Sequence, residues 1–343
     1  MTLLLDAALK GSVLILAAAL VAYFLRGKSA AARHAAWTAA VIGHLAIPAF
    51  ALLLPHWKLP LLSPPSWIET QVSDVAPITK SIDEPTPVAA PAAPAPVQGK
   101  VESPAQTPPS STTIATRKWS SLPVVAVLWI TGAVIVLLRL AVGTWKVGRL
   151  AKNGDRVDDG EWLSLTQRLA NRLGITRPLT LLRGDRLAVP VTWGVVYPAV
   201  LLPPDSIEWP EERRRFVLVH EMAHVKRFDA LTQLIAQLTI AIFWFDPLIW
   251  LAAHRMRVER EHACDDYVIR DGTKPSLYAG ELLEMVQSIG LPRHERAAPA
   301  FAALAMARRS EFEGRMLSIL DARQDRRTLG RKTAAAATVA LAI

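Results

Sequence analysis

Three apolar runs constrain this chain more than anything else in it: Leu3 to Leu25, Ala35 to Leu54 and Leu122 to Val142. Each is roughly 20 residues long, the length an α-helix needs to cross about 30 Å of hydrocarbon. A helix also satisfies its own backbone polar groups where no water can reach them. The runs therefore predict three spans and a mainly α membrane protein, in keeping with a composition that is 51% apolar. A secretory signal peptide is the rival reading of the first run. Against it, Asp6 and Lys10 stand where a basic leader region belongs, and a second span follows closely. Beyond Arg326, Arg327, Arg331 and Lys332, the apolar stretch Ala334 to Ile343 reads as the start of a fourth span, covering 332–343.

Positive charge orients the spans. Arg26, Lys28 and Arg33 follow the first run, and Lys146, Arg149, Lys152 and Arg156 follow the third. Lysine and arginine collect on the cytoplasmic side, so the N-terminus is expected outside and residues 144–331 inside. Residues 1–54 then form two spans with a short cytoplasmic loop, 55–121 an outer loop, 122–143 the third span, and 144–331 a cytoplasmic α+β domain. The outer loop holds 13 of the chain's 25 prolines, as in "PTPVAAPAAPAP". Such a composition buries too little to repay its ordering entropy, and disorder is expected there. The net charge of +9 is explained by these membrane flanks. Direct nucleic-acid binding would need a basic face interleaved with base-reading side chains, and the sequence shows none. A single cysteine, Cys264, excludes an internal disulfide and fits a reducing compartment.

Within the inner domain, Glu161 to Leu173 reads as an amphipathic helix stopped by Gly174. Residues 178–204 hold β-rich runs broken by Gly184, Pro190, Gly194 and Pro198, which predicts a small antiparallel sheet. A helix then starts near Pro210, with Glu211 and Glu212 complementing the positive end of its dipole. Ala230 to Phe245 is too short for a span, carries Gln233 and Gln237 and ends at Pro247, so a buried or membrane-dipping helical hairpin is expected.

The helix after Pro210 carries "VLVHEMAHVKRFDA". His220 and His224 are one turn apart and share a face, so two imidazoles can hold one ion. Glu221, offset by about 100°, lies beside the ion, where a carboxylate can take a proton from a water activated by the metal. The bland alternative is a solvated helix face with two incidental histidines, but the motif follows the apolar run Phe216 to Val219, which predicts a buried helix. A catalytic zinc takes three protein ligands. "MRVEREHACDDYVIR" supplies candidates for the third: Glu261, Cys264 and Asp265 share one helix face, while Glu259 points away. His262 and His254 are further candidates.

The HExxH motif with its "RFD" extension, "WFDPLIW" at 244–250 and Glu-x-x-Cys-Asp at 261–265 resemble the membrane zinc peptidases of the beta-lactam sensor-transducer class, the BlaR/MecR family. "ARHAAW" and "PVTWGVVYPAVLLP" are similar to that family's pattern too, and the likeness runs from residue 1 to about 330. The resemblance implies zinc held by His220, His224 and Glu261, Glu221 as general base, and Asp265 as the acceptor that orients a ligand histidine. Of Glu259 and Glu261 at most one can join the site, and His262, His254 and Cys264 are then structural or surface residues. Arg227 and Asp229 match the family's extension, and Asp229 is read as the cap of the next helix. Asp246 stands where the family has asparagine and is read as a cap as well.

What the resemblance implies about function is a gluzincin-like endopeptidase in the bacterial inner membrane that cuts a cytoplasmic repressor, or itself, as an antirepressor step in a beta-lactam response. It places a penicillin-binding sensor domain after the last span, outside these 343 residues. A homodimer is left open. Tyr278, His254 and Arg257 are candidates for stabilising the oxyanion, and the run from Val191 to Leu202 could align a substrate. The competing readings are a housekeeping membrane protease and a transducer whose zinc is only structural.

Overall fold

In a computed structural model, residues 2–53, 122–185, 187–288 and 299–327 are described. The proline-rich loop expected at 55–121 and the fourth span expected at 332–343 lie outside the described residues. Helix α1 (Thr2–Phe24) leads through a short 3-10 turn (Leu25–Gly27) into α2 (Ala30–Leu53), and the third run lies within α3 (Leu122–Asn153). The remainder follows as β1 (Asp155–Arg156), α4 (Gly160–Leu173), β2 (Thr180–Arg183), β3 (Val191–Trp193), β4 (Ala199–Leu202) and a 3-10 turn (Pro204–Glu208). Five helices complete it: α5 (Glu211–Arg227), α6 (Asp229–Ile242), α7 (Pro247–Arg270), α8 (Pro275–Ser288) and α9 (Pro299–Leu320).

Among the described residues two helices, Leu4–Gly27 and Val124–Asn153, are long and apolar enough to cross a membrane. The apolar window of the latter is 0% buried within the protein. Val124, Leu128, Ile135 and Leu138 are exposed along it. A bare apolar face of that length is what lipid, not water, would cover. The second run also folds as one helix, α2, which packs between α1 and α7.

The sheet differs from expectation. Its strand order is β1-β2-β4-β3, with β1 antiparallel to β2 and β3 antiparallel to β4, but β2 runs parallel to β4. It is therefore a mixed sheet. The β-rich runs of 178–204 do not make one simple meander, because the chain leaving β2 passes to the far edge as β3 before returning as β4 between them. Gly194, at φ 91°, permits the tight reversal from β3: a Cβ there would lie 2.5 Å from the carbonyl oxygen of Tyr197. Strand β4 is buried at all four residues and β3 is the edge.

Among the described residues two large apolar cores result, beside a small cluster of Leu182, Ala199 and Leu201. The first joins α4, the sheet, α5, α7, α8 and α9 around Trp162, Val200, Leu202, Phe216, Leu218, Met222, Val268 and Ile319. Each such fully buried large side chain contributes roughly 1.5–3 kcal/mol. Helix α4 enters this core as the sequence indicates, capped by Asp159 accepting from Glu161 N and ended by Gly174 in the left-handed region. The second core joins α1 and α2 to the α6–α7 hairpin through Ile15, Trp37, Val41, Ile240, Phe243 and Ile249. Asp246 caps α7 by accepting from Leu248 N at 2.8 Å, and its other oxygen accepts from Ser12 Oγ of α1 at 3.0 Å. Arg33 of α2 donates to Glu259 of α7 at 2.8 Å. Helix α3 is tied to the hairpin by two indoles: Trp129 Nε1 donates to Ile242 O at 2.9 Å and Trp244 Nε1 to Trp129 O at 3.1 Å.

That last contact needs a glycine. A Cβ on Gly132 would fall 2.2 Å from Cε2 of Trp244, whereas one on Gly143 of the same helix meets nothing within 4 Å. Gly132→Ala should therefore destabilise the protein by about 1–3 kcal/mol through overpacking. Gly143→Ala should be neutral or slightly stabilising. Thermal unfolding of the two variants in the same detergent checks the pair, and equal midpoints would contradict the packing described.

Candidate active site

Helix α5 is buried from Phe216 through Ala223, so its histidines enter a protein interior and not a solvated face. Helical spacing brings the His220 and His224 rings to 5.0 Å between centroids, nearly perpendicular to one another. Helix α7 crosses α5 and brings Glu261 to them, with Oε2 3.6 Å from His220 Nε2. One ligand atom from each of His220, His224 and Glu261 lies within 4.8 Å of the others.

Each of these three side chains is held from behind. His224 Nδ1 stands 2.8 Å from Asp229 Oδ2, which also accepts from Arg227 Nε at 3.2 Å. His220 Nδ1 stands 3.3 Å from Asp265 Oδ1 and 3.1 Å from the Tyr278 hydroxyl, which donates to Asp265 at 2.7 Å. Arg315 of α9 grips Asp265 with two hydrogen bonds, Nε to Oδ2 at 2.6 Å and Nη2 to Oδ1 at 2.7 Å. Glu261 Oε1 accepts from Arg260 Nε and Nη2 at 3.2 and 3.0 Å, leaving Oε2 towards the histidines. With Nδ1 of each imidazole engaged by a carboxylate, Nε2 is the nitrogen left to bind an ion.

The electrostatics follow from these pairs. Burial works against a charged His220, but bonds to the Asp265 and Glu261 carboxylates hold its pKa up to about 9. Burial would raise Glu261, yet its bond to His220 and the charges of Arg260 and Arg315 hold it well below the usual carboxylate range. Burial would raise Asp229 too, and Arg227 and His224 bring it down to about 2. The site is thus a cluster of carboxylates kept as anions, in which a proton or a metal cation is welcome.

Glu221 is held differently. The hydroxyl of Thr192 on edge strand β3 donates to Glu221 Oε2 at 2.7 Å and stands 3.1 Å from its carbonyl oxygen. The carboxylate is held by a neutral group while its neighbours are held by arginines. Glu221, β3 and the two histidines line one cavity of about 580 Å³, which Leu140 and Thr144 of α3, Phe312 and Arg315 of α9 and Tyr278 of α8 help to enclose.

The other candidates fall elsewhere. Glu259 turns to Arg33, and His262 Nδ1 stands 4.0 Å from Glu259 Oε2. His254 and Arg257 bond one another and share Glu311 on an exposed face. Cys264 packs closer to the site than its place in the sequence indicates: its sulfur is 3.3 Å from His224 Nδ1 and 3.5 Å from Asp229 Oδ2. His224, Asp229 and Cys264 also make a compact group. Burial pushes the Cys264 thiol up, however, and His224 Nδ1 is engaged by Asp229, so this group supports the histidine and is a poor metal site.

Asp229 needs a correction. It is not the cap of α6: Phe228 holds that position with φ at 58°, and the Asp229 side chain folds back onto His224. The left-handed turn is what reverses the chain, and the Arg177 guanidinium lies 3.9 Å from the Phe228 ring centroid. Tyr278, a candidate for the oxyanion, is 1% exposed with its hydroxyl spent on Asp265 and His220. Thr192, Arg260 and Arg315 were missed from the sequence. A threonine in a β-run and arginines in charged helices carry no local mark, and only the crossing of β3, α7 and α9 over α5 brings them in.

Comparison with known proteins bears on this arrangement. The chain is 31% identical over 163 residues to the regulatory protein BlaR1 of Bacillus licheniformis, covering 47% of this chain and 27% of that one. It is 25% identical over 93 residues to the methicillin resistance mecR1 protein of Staphylococcus aureus strain Mu50 and to that of Staphylococcus epidermidis, covering 27% of this chain and 16% of theirs. The matched stretch thus spans about a quarter of the length of the first and a sixth of the others. A family model described as BlaR1 peptidase M56 matches residues 2–317, nearly the whole chain, and the protein therefore belongs to the BlaR1 peptidase M56 family.

Proposed function

We propose that this protein is an integral-membrane zinc endopeptidase of signal transduction, which cuts a cytoplasmic repressor, or itself, at the inner face of a bacterial membrane. The observation that carries the reading is the convergence of His220, His224 and Glu261, each fixed from behind, on one side of a cavity whose other wall holds Glu221. Two imidazoles and one carboxylate are the donor set of hydrolytic zinc sites, which keep a further position open. The membrane placement rests on the two long apolar helices and on the basic flanks of the spans. The repressor as substrate rests on the family resemblance alone.

Zinc at this site would supply a water acidic enough to lose its proton near neutral pH and would polarise the scissile carbonyl. The chain's own residues do the rest. Glu221 takes one proton from the attacking water as its oxygen bonds to the carbonyl carbon and the C=O π electrons move onto the carbonyl oxygen. When the C–N bond breaks, Glu221 returns that proton to the departing nitrogen. Thr192 occupies Glu221 Oε2, which leaves Oε1 to carry the proton. Strand β3, at the edge of the sheet and lining the cavity at Val191, Thr192 and Trp193, can pair with an extended substrate as an added strand.

Three substitutions test this. Glu221→Gln should keep one zinc per chain by elemental analysis while cleavage falls by roughly 10²–10⁴-fold. A purified variant that still cuts would refute the assignment, and the reading with a merely structural zinc would stand. Asp229→Asn should weaken zinc about 10–100-fold in competition with a chelator, since it removes the carboxylate that orients His224. Thr192→Val should leave zinc affinity unchanged and lower kcat by about tenfold, because a loosened general base still reaches the water. A change in zinc affinity instead of kcat would place Thr192 outside the role given.

A further inference from the structure

We propose that Arg315 is the residue that takes up the negative charge developing on the carbonyl oxygen of the scissile bond. The inference rests on the peptidase reading above and supplies the oxyanion donor that reading lacks.

Three arginines surround the ligands, and their nitrogens are used differently. Arg260 commits Nε and Nη2 to Glu261 and Nη1 to Gln233 Oε1 at 3.1 Å. Arg227 bonds Asp229 behind His224 and does not line the cavity. Arg315 lines the cavity. Its Nε and Nη2 hold Asp265, and Nη2 lies 3.4 Å from both ring nitrogens of His220, so the guanidinium runs alongside the imidazole. Its Nη1 is 3.8 Å from Glu261 Oε2, beyond hydrogen-bond range, on the side where the three ligand atoms converge. A carbonyl brought to that centre for attack by a water under Glu221 must place its oxygen close to the ligands, within reach of this nitrogen.

The two hydroxyls nearby are already engaged, Thr192 with Glu221 and Tyr278 with Asp265. A guanidinium gripped side-on by a buried carboxylate cannot swing, so its remaining donors are fixed before substrate arrives. Donors fixed in that way are the kind that lower a barrier when charge appears on oxygen. The charge of Arg315 faces Asp265, a carboxylate shared with Tyr278 and His220, and more distantly Glu261 Oε2, which is itself held by Arg260 through Oε1.

Two inhibitors separate this role from a structural one: a phosphinic pseudo-dipeptide with leucine-like side chains, which is anionic and tetrahedral, and its neutral ketomethylene isostere. Binding of each is measured on the full chain in detergent, loaded with zinc. Arg315→Met should weaken the phosphinate by roughly 10²-fold, change the ketomethylene less than about threefold, and leave zinc stoichiometry intact. Arg315→Lys, which keeps a charge beside Asp265, should fall between. The double variant Arg315→Met with Asp265→Asn removes the unpaired buried carboxylate and should keep the phosphinate defect. Equal weakening of both inhibitors, or a double variant that regains the wild-type phosphinate affinity, overturns the assignment and leaves the peptidase reading in place. Wild-type protein that takes up no zinc overturns both.

Discussion

Arginine holding carboxylate is the interaction on which the convergence of His220, His224 and Glu261 depends. Asp265, Glu261 and Asp229 are withdrawn from water to different degrees, and each is gripped by one arginine: Arg315, Arg260 and Arg227. An unpaired buried carboxylate would cost several kcal/mol or take up a proton. A protonated Asp265 or Asp229 could no longer orient a histidine as an anion does. The pairs therefore keep the acids ionised, the ionised acids fix the imidazoles, and the fixed imidazoles present Nε2 to a common point. Glu221, by contrast, is held by the neutral hydroxyl of Thr192.

The same helices that build this centre reach into the apolar layer. Helix α7 carries Glu261 and Asp265 at one end and, at the other, packs against α1 and α2 through Ile249, Ala252 and Met256. Arg33 and Glu259 join α2 to α7 two residues from Glu261, and Ser12 joins α1 to the first turn of α7. Helix α3 places Leu140 and Thr144 in the cavity wall itself. Packed and ion-paired side chains thus connect the long apolar helices to the cavity around His220, His224 and Glu261. The left-handed turn at Phe228, four residues after His224, sends the chain back along the second apolar core as α6.

Local chemistry made much of this legible. Gly174 marks the end of α4, and Asp246 caps α7, because a cap is a contact between near neighbours in the chain. Asp229 misled for the same reason. An aspartate just before an apolar helical run has the local look of a cap, and nothing in the sequence shows that the residue before it turns left-handed and frees the side chain for His224. The sheet misled likewise, since β-rich runs separated by turns look like a meander, and no local spacing shows that β2 pairs in parallel with β4.

The sequence by itself determined the apolar lengths that suit a membrane and the one helix that carries two histidines on a shared face with a glutamate beside them. Both follow from fixed geometry, a rise of about 1.5 Å and about 3.6 residues per turn. Only the tertiary structure decided which of Glu261, Cys264 and Asp265 faces the histidines, which sits behind them, and which distant side chains, Thr192, Tyr278 and Arg315, complete the cavity. Those choices depend on the crossing of α7, α8, α9 and β3 over α5, brought about by the burial of side chains remote in the chain, and no local spacing encodes that crossing.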